Sequence, residues 1–307
     1  MSGGGGGRMP DFFIVGAPRC GTTFMYEYLR CHPQIFMPER KEPEFFCSDL
    51  DSGNYMDSLS FMRSEEEYRA LFRPARPDQR VGEASTWYLY STVAARRIRE
   101  ASPDAIIIAM LRDPVEMIYS LHGRRVFSRS EDLTRFSDAL DAEEDRQQGR
   151  RIPPRARNVK ALFYRQIARY PEQVQRYFDI FGPDRVKVII FEDFRRDPAA
   201  SYRSTLEFLG VDPEFQPDFQ VVNAARTRRS DRLQSALLSP TLIRVARRVI
   251  PAVVRPRVGP LWDLINSREE KRPPLDPALS ARLHEELRPQ IAQMGRMLGR
   301  DLTEVWR

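Results

Sequence analysis

Cysteine is scarce in this chain. Its 307 residues include only Cys20, Cys31 and Cys47, and no two of them have metal-ligand spacing. An odd, scattered set of this kind predicts free thiols in a reducing compartment rather than a disulfide framework. Long apolar runs are missing too: the longest, Ala105–Leu111, is far short of the ~20 residues a membrane span needs. Residues 1–9 lack a charged-then-apolar leader pattern, and Gly3–Gly7 reads as a flexible tail. There is no internal repeat. These absences predict a soluble, cytoplasmic protein with a Gly-rich N-terminus over 1–9 and one domain over 10–307.

Hydrophobic residues make up 41% of the chain, enough for a sizeable core, and the formal net charge is +6. A mild basic excess suits an anionic ligand, nucleic acid or an acidic membrane surface, without choosing among them. Apolar runs at Asp11–Gly16, Ala105–Leu111 and Val186–Phe191 read as buried strands, with a shorter one at Val81–Ala84. Helical periodicity marks Thr22–Arg30, Leu89–Ala101, Leu162–Phe181, Ala199–Leu209 and Pro277–Leu298, and Pro114 is placed to open another helix. Strands alternating with helices predict an α/β protein, a three-layer αβα sandwich on a central parallel sheet. Ligands of such sheets bind beyond the carboxyl ends of the strands. The charged stretch Glu143–Lys160 reads as an exposed excursion. Arg226–Pro260 mixes nine arginines with apolar residues and suits a basic flap, a peripheral membrane patch or a solvated helix face.

The segment GAPRCGTT, Gly16 to Thr23, joins the first strand to the first helix. Its glycines permit close backbone approach, and the N–H groups opening the helix attract anions. Compared with the G-x-x-x-x-G-K-[ST] phosphate loop of NTPases, Gly16, Gly21 and Thr23 match, but Thr22 stands where lysine is required. The cation lies within the loop, at Arg19, whose forked donors suit a phosphate. Asp113 follows the second strand inside an Arg-Asp-Pro turn, a poor place for a magnesium ligand. The loop is thus suited to an anionic phosphate group without a metal-bound triphosphate.

GAPRCGTT, followed by YEYLRCHPQIFMPERKEPEFF and later by LRDPVEMIYSLH, resembles the two phosphate motifs of sulfotransferases dependent on 3′-phosphoadenosine-5′-phosphosulfate (PAPS). More narrowly, it is similar to the bacterial branch related to heparan sulfate sulfotransferases. GEASTWYLYSTVAARRI, LFYRQIARYPEQVQRYFDIFGPDRVKVIIFEDF and HEELRPQIAQMGRMLGRDLTEVW extend the resemblance over residues 10–307. One departure is Arg19, where the family commonly has lysine.

The resemblance implies an αβα nucleotide-binding fold, PAPS as donor, 3′-phosphoadenosine-5′-phosphate (PAP) as product and no required metal. It places the 5′-phosphosulfate on Arg19, Cys20, Gly21, Thr22 and Thr23, and the 3′-phosphate on Arg112 and Ser120. It makes Glu42 the general base, with Lys41 orienting the sulfonate or tuning Glu42 and Arg19 offsetting charge on the departing phosphate. From residue type alone Glu42 reads as a surface carboxylate. His122 remains an alternative base, whereas His32 reads as a helix end and His284 as a surface residue. Glu83, Trp87 and Tyr88 are candidates for the acceptor pocket, and Arg226, Arg228 and Arg229 for a flap. The acceptor is a small molecule, a glycan or a lipid.

Two other readings compete. A P-loop kinase or NTPase requires the lysine and magnesium aspartate missing here. A non-catalytic nucleotide-binding module needs Arg19 and Arg112 but not Glu42. Nucleic acid is not expected as a partner, because the arginines are not interleaved with stacking aromatics.

Overall fold

The first strand, FFIVG, is buried along its whole length because it lies at the centre of a parallel sheet with neighbours on both sides. The computed structural model describes residues 7–53, 61–156, 158–219 and 273–306, together with the backbone of 226–228 and 267–269. In chain order the elements are β1 (Phe12–Gly16), α1 (Thr22–Cys31), β2 (Ile35–Phe36), α2 (Glu65–Ala70), β3 (Arg80–Ala84), α3 (Ala94–Ala101), β4 (Ile106–Leu111), α4 (Pro114–Phe127), α5 (Phe136–Asp141), α6 (Glu143–Gln147), α7 (Tyr164–Ile167), α8 (Tyr170–Phe181), β5 (Val186–Ile190), α9 (Phe191–Arg196), α10 (Pro198–Leu209), β6 (Arg226–Arg228), β7 (Ser267–Glu269) and α11 (Pro277–Leu298). The main sheet runs β2-β3-β1-β4-β5, all parallel. Phe12 pairs with Gly82 on one side and Ile106 on the other. Gly82 is required by packing: a Cβ there would lie 2.1 Å from the Phe12 ring.

Helices cover the sheet. Tyr28 of α1 packs on Phe194 of α9 and Tyr202 of α10, while α8 packs against α3 and α11, and α11 against α4. The expected three-layer α/β architecture is therefore present. The chain divides into two compact units, residues 1–219 with 275–307, and residues 220–274. In the second unit β6 and β7 pair antiparallel. Arg229 and most of the 226–260 stretch lie outside the described residues, as do residues 1–6 of the glycine tail.

Several boundaries differ from the sequence reading. The expected helix over 89–101 starts at Ala94, because the segment after β3 turns back over the sheet and Leu89 N–H donates to Val15 O. The expected helix over 162–181 is split into a 3-10 turn, α7 and α8, since Pro171 has no N–H to donate to Ile167 O and sits instead in the first turn of a new helix. Phe191 opens α9 instead of closing β5. The two-residue edge strand β2 was too short to read.

The 143–160 stretch is not a simple exposed excursion. Arg146 makes a bidentate pair with Glu131 at 2.8 and 2.7 Å, with both side chains 0% exposed. Tyr164 donates a further hydrogen bond to Glu131 at 3.0 Å. Burial pushes the Glu131 carboxyl up, but Arg146, the Leu133 N–H and Tyr164 outweigh it and hold it below the usual range.

Candidate active site

The strands β3, β1 and β4 end at Ala84, Gly16 and Leu111, and each carboxyl end leads into a predicted motif. The β1–α1 loop is tied to the neighbouring strand by Ala17 N–H donating to Met110 O at 2.6 Å. Gly21, at φ 84°, precedes α1, and no side chain caps the helix, so its N-terminal turn retains the donor character suited to an anion. A Cβ at Gly21 would lie 2.6 Å from two carbons of the Phe191 ring. Thr22 is buried and Thr23 half-buried. The Cys20 thiol is buried, and burial pushes it up to about 12, so it is a neutral wall of the loop and no nucleophile.

Arg19 is exposed and adopts φ 64°. Its Nε donates to Ser120 Oγ at 3.0 Å, which brings the two predicted phosphate motifs together. Arg112 leaves the end of β4 with its guanidinium 5.4 Å from the Phe191 ring centre and 3.1 Å from Glu116 Oε2. Asp113 is the N-cap of α4: Oδ1 accepts from Val115 and Glu116 N–H groups, and Oδ2 lies 3.0 Å from His284 Nε2. Its own N–H donates to Glu192 Oε1, whose other oxygen accepts from Trp306 Nε1. His284 is thus half-buried against the second motif, a correction to its reading as a surface residue. Its hydrogen bond to Asp113 holds the imidazole above its ordinary value. His32 ends α1 as expected.

The segment bearing Lys41 and Glu42 hangs on the end of β3, where Glu42 N–H donates to Ala84 O at 2.9 Å. Lys41 Nζ lies 2.6 Å from Glu42 Oε1, and Thr86 Oγ1 donates to the same oxygen at 3.3 Å. The Glu42 side chain is 38% exposed. Burial raises its carboxyl, but the Lys41 charge and hydrogen bond, Thr86 and the charge of Arg124 outweigh this and hold it below the usual range. Glu42 is therefore an ionised carboxylate at neutral pH, within reach of solvent.

The proposed acceptor contacts require correction. Glu83 and Tyr88 are fully buried, Trp87 is 7% exposed and His122 is 3% exposed. His122 Nε2 is 2.8 Å from Leu133 O, and its ring packs on Phe136 and Tyr164, a core position in place of a base facing a cleft. Trp87 lies under Arg125, whose guanidinium is 5.1 Å from the ring. Glu83, Trp87 and Tyr88 are enclosed as the segment after β3 folds back onto β1, with Ser85 N–H donating to Ile14 O and Leu89 N–H to Val15 O. Sequence reasoning missed Thr86, Arg124, Phe191 and Glu44. The signals were a hydroxyl two residues past β3, an Arg-Arg pair one turn beyond Ser120, and an aromatic at the end of a strand. Glu44 is buried, and burial with the nearby Glu42 charge pushes its carboxyl up to about 8.

The structure is a parallel αβα sheet with a glycine-containing loop after β1, an arginine at the end of β4 and an ionised carboxylate beside the end of β3, an α/β fold of the kind that binds its ligands beyond the carboxyl ends of the strands. Comparison with known proteins gives the family. Residues 10–217 match the model of the sulfotransferase family, and the chain belongs to it. It is 27% identical over 215 residues to human bifunctional heparan sulfate N-deacetylase/N-sulfotransferase 3, covering 68% of this chain and 23% of that protein. It is 30% identical over 148 residues to mouse carbohydrate sulfotransferase 15, covering 36% of this chain and 26% of that one. The chain thus spans about a quarter of the length of these curated relatives. The crystal structure of a sulfotransferase from Alicyclobacillus acidocaldarius superposes with a TM-score of 0.74 at 30% identity, over 97% of this chain and 99% of that one. Among the described residues no helix is long and apolar enough to cross a membrane.

Proposed function

We propose that this chain transfers a sulfuryl group from PAPS to a hydroxyl or amine of a glycan acceptor and releases PAP. The observation that carries the reading is the Arg19–Ser120 hydrogen bond, which joins the two candidate anion motifs beyond the carboxyl ends of the strands, where the Lys41–Glu42 pair also hangs. The β1–α1 loop from Arg19 to Thr23 would hold the 5′-phosphosulfate, and Arg112 with Ser120 the 3′-phosphate. The acceptor oxygen or nitrogen attacks sulfur as the bond from sulfur to the bridging phosphate oxygen breaks. The electron pair of that bond leaves with PAP, where Arg19 offsets the growing charge, and the acceptor proton passes to Glu42. Lys41 keeps Glu42 ionised and can orient the sulfonate.

A glycan is favoured by the names of the relatives. The reading takes residues 10–307 as one catalytic domain and keeps the three cysteines reduced, as in a cytoplasm. The kinase alternative is disfavoured by Thr22 in the lysine position and by the occupation of both Asp113 oxygens.

The test is a thermal-shift titration with PAP in the presence of EDTA, on the wild type and on Arg112→Ala. A ligand at one hundred times its Kd stabilises the folded state by about 2.7 kcal/mol. Saturable stabilisation that Arg112→Ala abolishes supports the reading. No shift with PAP, but a shift with ATP and magnesium, overturns it.

A further inference from the structure

Residues 42–46 form an irregular loop with two non-glycine residues in the left-handed region, Glu42 at φ 59° and Glu44 at φ 53°. Backbone of this kind persists only where its surroundings hold it. Here alternate N–H groups are held by the last residue of β3 and the segment that follows it. Glu42 N–H donates to Ala84 O at 2.9 Å, Glu44 N–H to Ser85 Oγ at 3.0 Å, and Phe46 N–H to Tyr88 Oη at 3.3 Å. Two of the three acceptors are side-chain hydroxyls standing in for backbone carbonyls.

A tyrosine oxygen that accepts from a backbone N–H must send its own proton elsewhere. Tyr88 donates to Glu83 Oε2 at 2.7 Å. Tyr68 donates to the same oxygen at 3.1 Å. The two tyrosines also grip the aromatic side chains of the loop. Tyr68 stacks on Phe45 with ring centres 4.4 Å apart and 13° between planes, and Tyr88 packs edge-on to Phe46 at 5.8 Å. Both sides of the clasp thus end on one carboxyl group with no exposed surface. The other oxygen, Oε1, is buried without a hydrogen bond. Burial pushes this carboxyl up to about 7, against the lowering effect of the nearby hydroxyls of Ser85, Tyr88 and Tyr68. Arg97 holds the opposite side of the loop independently, donating to the carbonyls of Phe45 and Phe46.

We propose that Glu83 is the positioning residue for the general base: by orienting the Tyr68 and Tyr88 hydroxyls it clasps the 42–46 loop and so fixes where Glu42 meets the acceptor. The assignment of Glu42 as base rests on the function proposed above; the clasp itself does not. Glu83 acts through Tyr88 and the loop backbone, and touches neither donor nor acceptor.

The experiment compares wild type, Glu83→Leu, Glu83→Gln and Tyr88→Phe. Hydrogen exchange by mass spectrometry follows the peptide spanning 40–47, PAP affinity is measured by calorimetry, and sulfate transfer is followed from labelled PAPS to de-N-sulfated heparin. Glu83→Leu and Tyr88→Phe are expected to speed exchange of that peptide about tenfold or more. They should lower kcat by about 10- to 100-fold through a misplaced base, with PAP affinity within about twofold of wild type. Glu83→Gln retains an oxygen acceptor and should recover most of both losses. Should Glu83→Leu fail to fold, Tyr88→Phe carries the same test, since it removes one hydroxyl and little volume. Unchanged exchange in Tyr88→Phe, or loss of PAP affinity in parallel with kcat, overturns the proposal. A wild type that binds no PAP overturns the functional reading and leaves the exchange result standing.

Discussion

Arg19 Nε donates to Ser120 Oγ at 3.0 Å, joining the β1–α1 loop to α4. Two residues assigned to opposite ends of one nucleotide already touch each other. On the proposed assignment, Ser120→Ala removes a ligand contact and the restraint on Arg19 together. PAP affinity is expected to fall about tenfold, the equivalent of about 1.4 kcal/mol, in an isothermal titration. Arg19→Lys keeps the charge but loses the fork that spans both groups. It should retain PAP binding within about threefold, with the greater loss in transfer rate.

Glu42→Gln is expected to lower the transfer rate by about 10²- to 10⁴-fold, the usual contribution of a positioned general base, without changing PAP affinity. The charge of Lys41 and its hydrogen bond to Glu42 hold the carboxyl below its ordinary value of 4.5. The acid limb of kcat should therefore lie below that value in the wild type and move upward in Lys41→Ala. A limb that stays in place would remove Lys41 from the role of tuning the base.

Glu44 behaves in the opposite sense. Its carboxyl rises from 4.5 to about 8 through burial and the Glu42 charge. A group with a raised folded-state value contributes its stability in full below 4.5, and that contribution is lost as pH rises through about 8. Melting temperature is expected to fall between pH ~5 and ~8 in the wild type and to fall less in Glu44→Gln. Parallel curves for the two proteins in circular dichroism melts would count against this account.

Gly21→Ala places a Cβ 2.6 Å from the Phe191 ring at a residue with φ 84°. The ring must move, and it also lies beside Arg112. The thermal shift on saturating PAP should shrink markedly, and Phe191→Leu in the same chain should restore part of it.

The buried Arg146–Glu131 pair gives a separate stability prediction. Removing one partner leaves an uncompensated buried charge, so Glu131→Leu is expected to cost about 3–5 kcal/mol. The double variant Glu131→Leu with Arg146→Met should regain most of it in urea unfolding.

The central strands were legible because β1 and β4 are nearly unbroken apolar runs, the pattern a strand buried on both faces requires. Both proposed phosphate motifs could be read as candidates because glycine spacing and an arginine at a strand end carry their chemistry locally. The 143–160 stretch was not, since the burial of Arg146 depends on Glu131 and Tyr164, which no local pattern announces. His284 was misread for the same reason: its partner Asp113 lies 171 residues away. Glu83, Trp87 and Tyr88 could be picked out because they lie at or just beyond the end of a short predicted strand; only the fold shows that they are buried.

Asp113 is held by residues from distant parts of the chain: Glu192, which Trp306 anchors, and His284 on the C-terminal helix. The family match at 10–217 contains both phosphate motifs yet excludes that helix. On the ribosome, the anion loop and Arg112 emerge well before the groups that brace the second motif. A nascent chain would therefore carry the complete phosphate signature without a finished nucleotide site. Donor capture would wait for the closing helix to dock, and a proteolytic cut ahead of that helix would silence the protein without removing any residue expected to touch the ligand.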